Sequence, residues 1–140
     1  MDSASESAGH ELLNLSGVRI LVVEDSWQVG LALMSFLTDL GAEVSGPVAT
    51  IADAQRLASD QPPDAALVDL NLRGGELADS LIDRLHEQGV YIIVHTGYST
   101  LPVEVRHAAT ILQKPVHEAA LIASLRPVVT RKAQGANSAQ

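Results

Sequence analysis

The sequence predicts an α/β domain built on a doubly wound, parallel five-stranded sheet. Apolar runs typical of buried strands alternate along the chain with segments whose apolar residues repeat at helical spacing. These helical segments are long enough to cross over between neighbouring parallel strands. In such sheets, functional sites lie beyond the carboxyl ends of the strands, so the residues that follow each strand are the first candidates for function.

Composition limits the class of protein. The 140-residue length is that of one domain, and the absence of cysteine excludes disulfides, thiolate zinc sites and cysteine nucleophiles. No apolar run approaches the roughly 18 residues of a membrane span, and residues 1–17 lack a signal-peptide pattern. The formal charge of −8 disfavours binding to nucleic acid phosphates. We therefore expect a soluble, cytoplasmic protein that binds neither membranes nor nucleic acid directly.

The two ends of the chain are predicted to be flexible tails around one domain of residues 17–130. Residues 1–16 are mainly small, polar and acidic, and residues 131–140 are polar. Near the end of the first tail, a weak apolar cluster offers docking contacts: Leu12, Leu13 and Leu15.

The first strand and the first helix follow this tail. A β-branched run at residues 18–23 predicts a strand, which ends in the adjacent carboxylates Glu24 and Asp25. The next segment predicts a helix, and Gly41 stands where a helix C-cap is expected. Its apolar residues at helical spacing are Val29, Leu33, Phe36, Leu37 and Leu40.

The second strand is predicted at residues 43–48. Pro47 within it favours an edge position, because proline cannot donate to the ladder of a central strand. Thr50 and Asp53 then form a weak capping box, which predicts the start of a helix that extends through Ser59.

The third strand carries the residue around which the sequence is organised. Residues 65–68 are four consecutive apolar residues, as in a strand buried on both faces, and Asp69 follows directly. A charged group at the end of a dry strand costs several kcal/mol unless it is compensated. The rest of the chain should therefore supply a cation and hydrogen-bond donors to this carboxylate.

The third helix is predicted to end at Gly89, and a buried fourth strand at residues 91–94 then leads into His95 and Thr96. The apolar face of that helix consists of Leu77, Leu81, Ile82 and Leu85. The fourth helix, at residues 101–107, has only about two turns, so we expect it to be short or irregular.

The fifth strand is predicted at residues 108–113 and ends at Lys114. A last helix follows, which Pro127 should kink or shorten. Its apolar face consists of Leu121, Ile122, Leu125 and Val128.

Five functional side chains follow the predicted strands: Glu24, Asp25, Asp69, Thr96 and Lys114. The carboxyl ends of parallel strands share one edge, so these side chains should converge there. Three carboxylates repel one another and one lysine cannot neutralise them, so the site should bind a hard divalent cation such as Mg²⁺. At its centre, Asp69 is placed as a nucleophile that forms an acyl phosphate.

With these residues in this order, the chain resembles the receiver domains of bacterial two-component response regulators, of the stand-alone, single-domain type. The matching motifs are Glu24-Asp25, Val68-Asp69-Leu70-Asn71, Thr96-Gly97 and Lys114-Pro115. The resemblance implies a flavodoxin-like (βα)5 fold with strand order 2-1-3-4-5. It also implies a signalling phosphoprotein rather than an enzyme, one that catalyses only its own phosphorylation and dephosphorylation.

The resemblance further implies a role for each matching residue. Asp69 would accept the phosphoryl group from a sensor histidine kinase or a histidine phosphotransfer protein. Asp25 and Asp69 would ligate Mg²⁺, or Mn²⁺ as a substitute, directly. Glu24 would do so through water and Asn71 through its backbone carbonyl.

The resemblance also implies a switch. Lys114 would pair with Asp69 and then with a phosphoryl oxygen, and its bond to Pro115 would be cis, a state accessible essentially only before proline. Thr96 would move to donate a hydrogen bond to the phosphoryl group. The phosphorylated form would act by contact with a downstream protein of unknown identity, or the chain would serve as a phosphate sink or relay.

Two features depart from the family pattern. Ile111 occupies a switch position where most receivers carry Tyr or Phe, and Tyr98 is the candidate mobile aromatic in its place. The segment from Thr96 to Lys114 is shorter than usual by roughly one helical turn. This change affects a face through which many receivers dimerise, so we expect a monomer or a weak dimer.

One apolar group falls off the main face of the first helix: Trp27, Leu31 and Met34. These residues are either additional core contacts or an exposed patch. In the family, that neighbourhood docks the kinase, which makes the three residues candidate partner-binding residues.

Simpler explanations exist for each motif alone. Glu24 and Asp25 could be helix N-terminal charges, Asp69 could cap a turn, and Lys114 could be a solvated surface charge. The histidines show no ligand spacing, so an ordinary role is expected for all five: His10, His86, His95, His107 and His117.

Three other functions are less compatible with the sequence. A phosphohydrolase of the haloacid dehalogenase type needs a second Asp two residues after the nucleophile, where this chain has Asn71. A nucleotide-binding protein would carry a glycine-rich phosphate loop after the first strand, and none is found. A degenerate receiver would lack the acceptor Asp, the Thr or the Lys, and all three are present.

Overall fold

The computed structural model describes residues 13–70, 72, 78–97 and 105–138, with the backbone alone at 136–138. Its strands are β1 (Arg19–Val23), β2 (Glu43–Val48), β3 (Ala65–Asp69), β4 (Tyr91–Thr96) and β5 (Thr110–Gln113). Its helices are α1 (Trp27–Asp39), α2 (Ile51–Asp60), α3 (Asp79–Glu87) and α4 (Glu118–Ser138).

All strand pairs are parallel, and the sheet order is β2-β1-β3-β4-β5. The predicted doubly wound fold and its strand order are therefore confirmed. β2 is an edge strand, as Pro47 predicts. Among the described residues, no helix is long and apolar enough to cross a membrane.

Two apolar layers cover the two faces of the sheet, because successive side chains of a strand point to opposite faces. Leu67 of β3 packs in one layer, with Ile20 and Ile93, whereas its neighbour Val68 packs in the other with Val94. Every residue of β3 is buried. Asp69 therefore ends a dry strand, as the sequence predicts.

The domain begins earlier than the sequence pattern suggests. Residues 13–16 fall within the predicted N-terminal tail, whose leucines were expected to offer docking contacts, and Leu13 and Leu15 are buried in the core. The Leu15 N–H donates to the carbonyl oxygen of Leu40 at 2.8 Å, next to the end of α1. Burial of one leucine contributes about 1.5–3 kcal/mol, enough to hold this segment against the domain.

The last helix also differs from the expected one. It continues through Pro127 to Ser138, although polar composition predicts a flexible tail from residue 131. Long-range contacts hold the extension: Nζ of Lys132 lies 2.9 Å from Oδ2 of Asp64, and the Arg131 guanidinium lies over the Tyr91 ring. These contacts join segments far apart in sequence, so local composition does not report them.

In the connection between β4 and β5, the structure describes Gly97 and residues 105–109, and neither part is helical. Residues 101–104 of the predicted fourth helix (101–107) lie outside the described residues. The described part contacts α3. Arg106 forms an ion pair with Asp83 at 3.3 Å, and the His107 ring stacks on His86 with centroids 3.7 Å apart.

Candidate functional site

The carboxyl ends of β1 and β3 bring three acidic side chains together. One carboxylate oxygen each from Glu24, Asp25 and Asp69 lies within 4.8 Å of the others. Glu24 and Asp69 are buried, and Asp25 is half-buried. Like charges this close destabilise one another and favour a bound cation, and oxygen ligands of this kind suit Mg²⁺. The donor set present therefore fits a magnesium ion.

An irregularity in β2 helps to place Glu24. Leu21 of β1 is paired with Ser45 and Val23 with Val48, so β2 has one extra residue between these pairs. Gly46 lies in this bulge with φ +98°, a conformation that favours glycine. The shifted register lets the Val48 carbonyl accept the N–H of Glu24 at 2.9 Å.

Lys114 joins the cluster from the end of β5. Its Nζ lies 2.9 Å from Oδ2 of Asp69 and 3.2 Å from Oε1 of Glu24. Burial acts to lower the pKa of this ammonium, but the hydrogen bond and charge of Asp69, assisted by Glu24, outweigh burial and raise it above 10.5. The Lys114–Pro115 bond is cis. Lys114 is therefore charged and directed at both carboxylates.

Thr96 ends β4 at the same edge and is buried. Its carbonyl accepts the backbone N–H of Lys114 at 2.8 Å, which ties the ends of β4 and β5 together. The structure thus brings together four of the five side chains that follow the predicted strands, those of Glu24, Asp25, Asp69 and Lys114, and Thr96 ends β4 at the same edge. Asn71 and Tyr98 lie outside the described residues. Ile111 lies on β5 with 39% of its surface exposed.

Both carboxylate oxygens of Glu24 have neighbours, Lys114 at Oε1 and Ser26 at Oε2. Its Oε2 accepts the N–H of Ser26 at 2.9 Å, and Ser26 is also the N-cap residue of α1. Burial raises the pKa of Glu24 above 4.5, and the charge of Asp69 adds to this effect, whereas Ser26 and Lys114 act to lower it. Ionised Glu24 is therefore costly unless a cation is nearby.

His95 is the residue that sequence reasoning missed. Its side chain is fully buried, and its Nδ1 lies 3.6 Å from Oε1 of Glu24. Burial lowers its pKa to about 4, against an opposing effect of Asp69, so the ring is neutral at pH 7. Within the described part of the chain, neither ring nitrogen has a partner at full hydrogen-bond geometry, although the Val23 backbone is near enough to oppose the fall in pKa. A buried polar atom left in that state costs about 1–3 kcal/mol.

The position of His95 in its strand is a sequence signal that could have identified it as a candidate site residue. His95 is the only polar residue between the apolar run of β4 and Thr96, and it is paired in register with Asp69. Paired residues of neighbouring strands point to the same face. The spacing of the histidines along the chain, which was the criterion used, carries no such information.

The candidate partner face lies beside this cluster. Trp27, the first residue of α1, is 64% exposed, and Leu31 and Met34 are half-buried. A groove of about 470 Å³ lies between α1 and the start of α4. Its lining is mainly apolar and includes Val29, Leu33, Phe36, Pro115 and Leu121.

Comparison with solved structures identifies the class of protein. CheY-like response regulator receiver domains share the fold and match over most of the chain. The chain belongs to the receiver-domain family. No protein-family model matches it, and no curated protein sequence matches it significantly.

For two similar solved structures, the match with this chain covers nearly their whole length. SdrG from Sphingomonas melonis Fr1 is 32% identical, with 80% of this chain and 96% of that chain covered and a TM-score of 0.70. The receiver domain of TorR, the response regulator of a TMAO respiratory system, is 28% identical, with 81% and 98% covered and a TM-score of 0.71.

A third similar structure belongs to a longer protein. The response regulator PhyR from Brucella abortus is 20% identical, with a TM-score of 0.77. The match covers 98% of this chain but only 57% of that one. At this identity the likeness shows the fold alone.

Proposed function

We propose that this receiver domain accepts a phosphoryl group on Asp69, in a Mg²⁺-dependent reaction, from a phosphohistidine of a sensor kinase or phosphotransfer protein. The observation that carries the proposal is the arrangement around Asp69. Its carboxylate is buried, lies 2.9 Å from the Lys114 ammonium and shares a small volume with two further carboxylates. A structural ion pair would not need the two additional acidic groups.

The proposed chemistry is a phosphoryl transfer between two side chains. A carboxylate oxygen of Asp69 forms the new P–O bond as the P–N bond of the donor breaks, and the leaving imidazole takes up a proton. The Lys114 ammonium stabilises negative charge on the phosphoryl oxygens. Asp25 and Asp69 would hold Mg²⁺ directly and Glu24 through water, and the bound ion supplies further positive charge to the phosphoryl group.

Phosphorylation would then change the partners of neighbouring groups. It replaces a charge of −1 by about −2 and adds strong acceptor oxygens. In this proposal, Lys114 and the Thr96 hydroxyl turn toward these oxygens, which biases the β4–β5 connection. Conversion of a mostly inactive population into a mostly active one takes about 5.5 kcal/mol. A few charge-assisted hydrogen bonds, at about 1.5–3 kcal/mol each, are sufficient.

The test of this proposal is direct phosphorylation of the purified chain. Incubation with a small phosphodonor and Mg²⁺ should add about 80 Da to the intact mass, and peptide mapping should place the group on Asp69. Omission of Mg²⁺ with excess chelator is the control and should prevent the gain. Steady phosphate release from many unrelated phosphoesters, without an adduct, would instead indicate a phosphohydrolase.

We further propose that the kinase or phosphotransfer protein docks on the face formed by Trp27, Leu31 and Met34. Trp27 lies two residues after Asp25, so a partner seated there would bring its phosphohistidine beside the acidic cluster. Large aromatic side chains frequently dominate binding energy at such interfaces.

A Trp27→Ala variant should separate docking from chemistry. We expect the rate of transfer from a phosphorylated partner to fall about tenfold or more. Loss of a central aromatic side chain typically costs about 2 kcal/mol or more of binding free energy. Phosphorylation by a small donor, which needs no docking, should be unchanged. Gln28→Ala, an exposed neighbour on the same helix, is the matched control. Equal transfer rates for the two variants would contradict the proposed face.

A further inference from the structure

Gly30 brings the first turn of α1 unusually close to β2. It is the fourth residue of the helix and is buried, although glycine inside a helix is less favourable than alanine. A methyl group at Gly30 would lie 2.6 Å from Cβ and 2.9 Å from Cγ of Pro47. Carbon atoms in contact are normally about 3.5–4.0 Å apart, so only glycine permits this approach of α1 to β2.

Both sides of this contact are joined to the segment from Glu24 to Ser26, which contributes two carboxylates to the acidic cluster. On the α1 side, the Gly30 N–H donates to the Ser26 carbonyl at 2.9 Å, and the Ser26 N–H donates to Oε2 of Glu24 at 2.9 Å. On the β2 side, the carbonyl of Val48, the residue after Pro47, accepts the Glu24 N–H at 2.9 Å. The segment therefore spans the space between α1 and β2, and the contact of Gly30 with Pro47 sets the width of that space.

We propose that Gly30 and Pro47 are positioning residues for the carboxylate of Asp25, which lies in this segment. The inference rests on the proposed function, because it concerns the same magnesium site. Asp25 follows β1 and Asp69 ends β3, so the distance between their oxygens depends on where the segment lies. Mg²⁺ demands near-ideal octahedral geometry, and such a site requires ligands held within about 0.5 Å.

An added methyl group on α1 could be accommodated only by movement of the backbone. The ring of Pro47 is closed on its own main chain, so its carbon atoms cannot rotate away. The middle of α1 is anchored in the core by Leu33 and Leu37, both buried. The movement, roughly 1 Å to reach normal contact, is therefore expected in the first turn, where Ser26 is the N-cap residue and Asp25 precedes it.

The experiment measures binding of Mn²⁺ to the folded full-length chain, with the free ion counted by electron paramagnetic resonance. We expect Gly30→Ala to bind Mn²⁺ about fivefold or more weakly than the wild type, because ligands displaced by even 1 Å lose much of their effect. Gly135→Ala is the matched control, since Gly135 also lies in a helix and a methyl group there would meet no described atom within 4 Å. That control should bind Mn²⁺ as the wild type does.

A compensating change tests the contact itself. Pro47→Gly removes both carbon atoms that a methyl group at Gly30 would meet. The double variant Gly30→Ala/Pro47→Gly should therefore bind Mn²⁺ more tightly than Gly30→Ala alone, the non-additivity expected of residues in contact. A double variant that binds no better than Gly30→Ala would overturn the proposal.

Thermal melts separate this role from a purely structural one. A Gly30→Ala variant that is less stable but binds Mn²⁺ with wild-type affinity would show that the glycine serves packing alone, and would overturn the inference while leaving the proposed function intact. If Gly30→Ala fails to fold, Pro47→Gly decides, because loss of one side of the contact should also weaken Mn²⁺ binding, and unchanged affinity would overturn the inference. Failure of the wild type to bind Mn²⁺ would contradict the proposed function as well.

Discussion

An Asp69→Asn variant is expected to gain no phosphoryl mass under conditions in which the wild-type chain is phosphorylated by a small donor with Mg²⁺. The amide that replaces the carboxylate is a much weaker nucleophile and carries no negative charge. It also cannot form the 2.9 Å ion pair with Lys114, so both the attack and the alignment of the site are lost. We expect the rate to fall by at least about 100-fold, as is common for loss of a nucleophile.

The matched control for this variant is Asp60→Asn. Asp60 is exposed at the end of α2, so its replacement makes the same change of charge far from the acidic cluster. Intact-mass measurements over time should show normal phosphorylation of this control. A mass gain in Asp69→Asn that matches the wild type would show that the phosphoryl group goes to another residue, and the proposed function would fail.

The parts of the fold that sequence could predict are those set by local pattern. The continuous apolar run of β3 predicts a strand buried on both faces, and the structure shows it. Parallel strands direct their carboxyl ends to one edge, so Asp69 and Lys114 could be expected to meet although they are 45 residues apart. For these features, periodicity and topology together are sufficient.

The features that sequence could not predict depend on contacts between distant segments. Leu15 is buried because its backbone bonds to Leu40, and the C-terminal extension of α4 is held by contacts such as Lys132 with Asp64. The C-terminal segment has the polar composition of a flexible tail, and the weak leucine cluster near the N terminus does not show where on the domain it docks. The position of His95 beside Glu24 likewise depends on two strand ends that meet only in the folded sheet.

A Lys114→Ala variant is expected to be less stable than the wild type at pH 7 without Mg²⁺. The side chains of Asp69 and Glu24 are 2% and 0% exposed, so removal of their ammonium leaves buried negative charge without its lysine partner. Because Lys114 itself is partly solvated, we expect a loss of about 1–2 kcal/mol in the free energy of unfolding. Urea unfolding measures this loss.

The matched control is Lys132→Ala, since Lys132 also lies 2.9 Å from a carboxylate, but both partners in that pair are more exposed. We expect that control to lose less than about 1 kcal/mol.

The loss of stability caused by Lys114→Ala should also depend on pH, and the pKa of Glu24 determines whether the loss grows or shrinks as the pH rises. When the pKa of a carboxyl is higher in the folded protein than in the unfolded chain, the group stabilises the fold at pH values below its unfolded-state pKa. That contribution is lost as the pH rises through its folded-state pKa. Lys114 acts to lower the pKa of Glu24, so its removal raises that pKa further above 4.5. The variant should therefore approach wild-type stability near pH 4.5 and fall behind it toward pH 7, where added Mg²⁺ should restore part of the difference. A deficit independent of both pH and Mg²⁺ would mean that Lys114 acts through packing rather than charge.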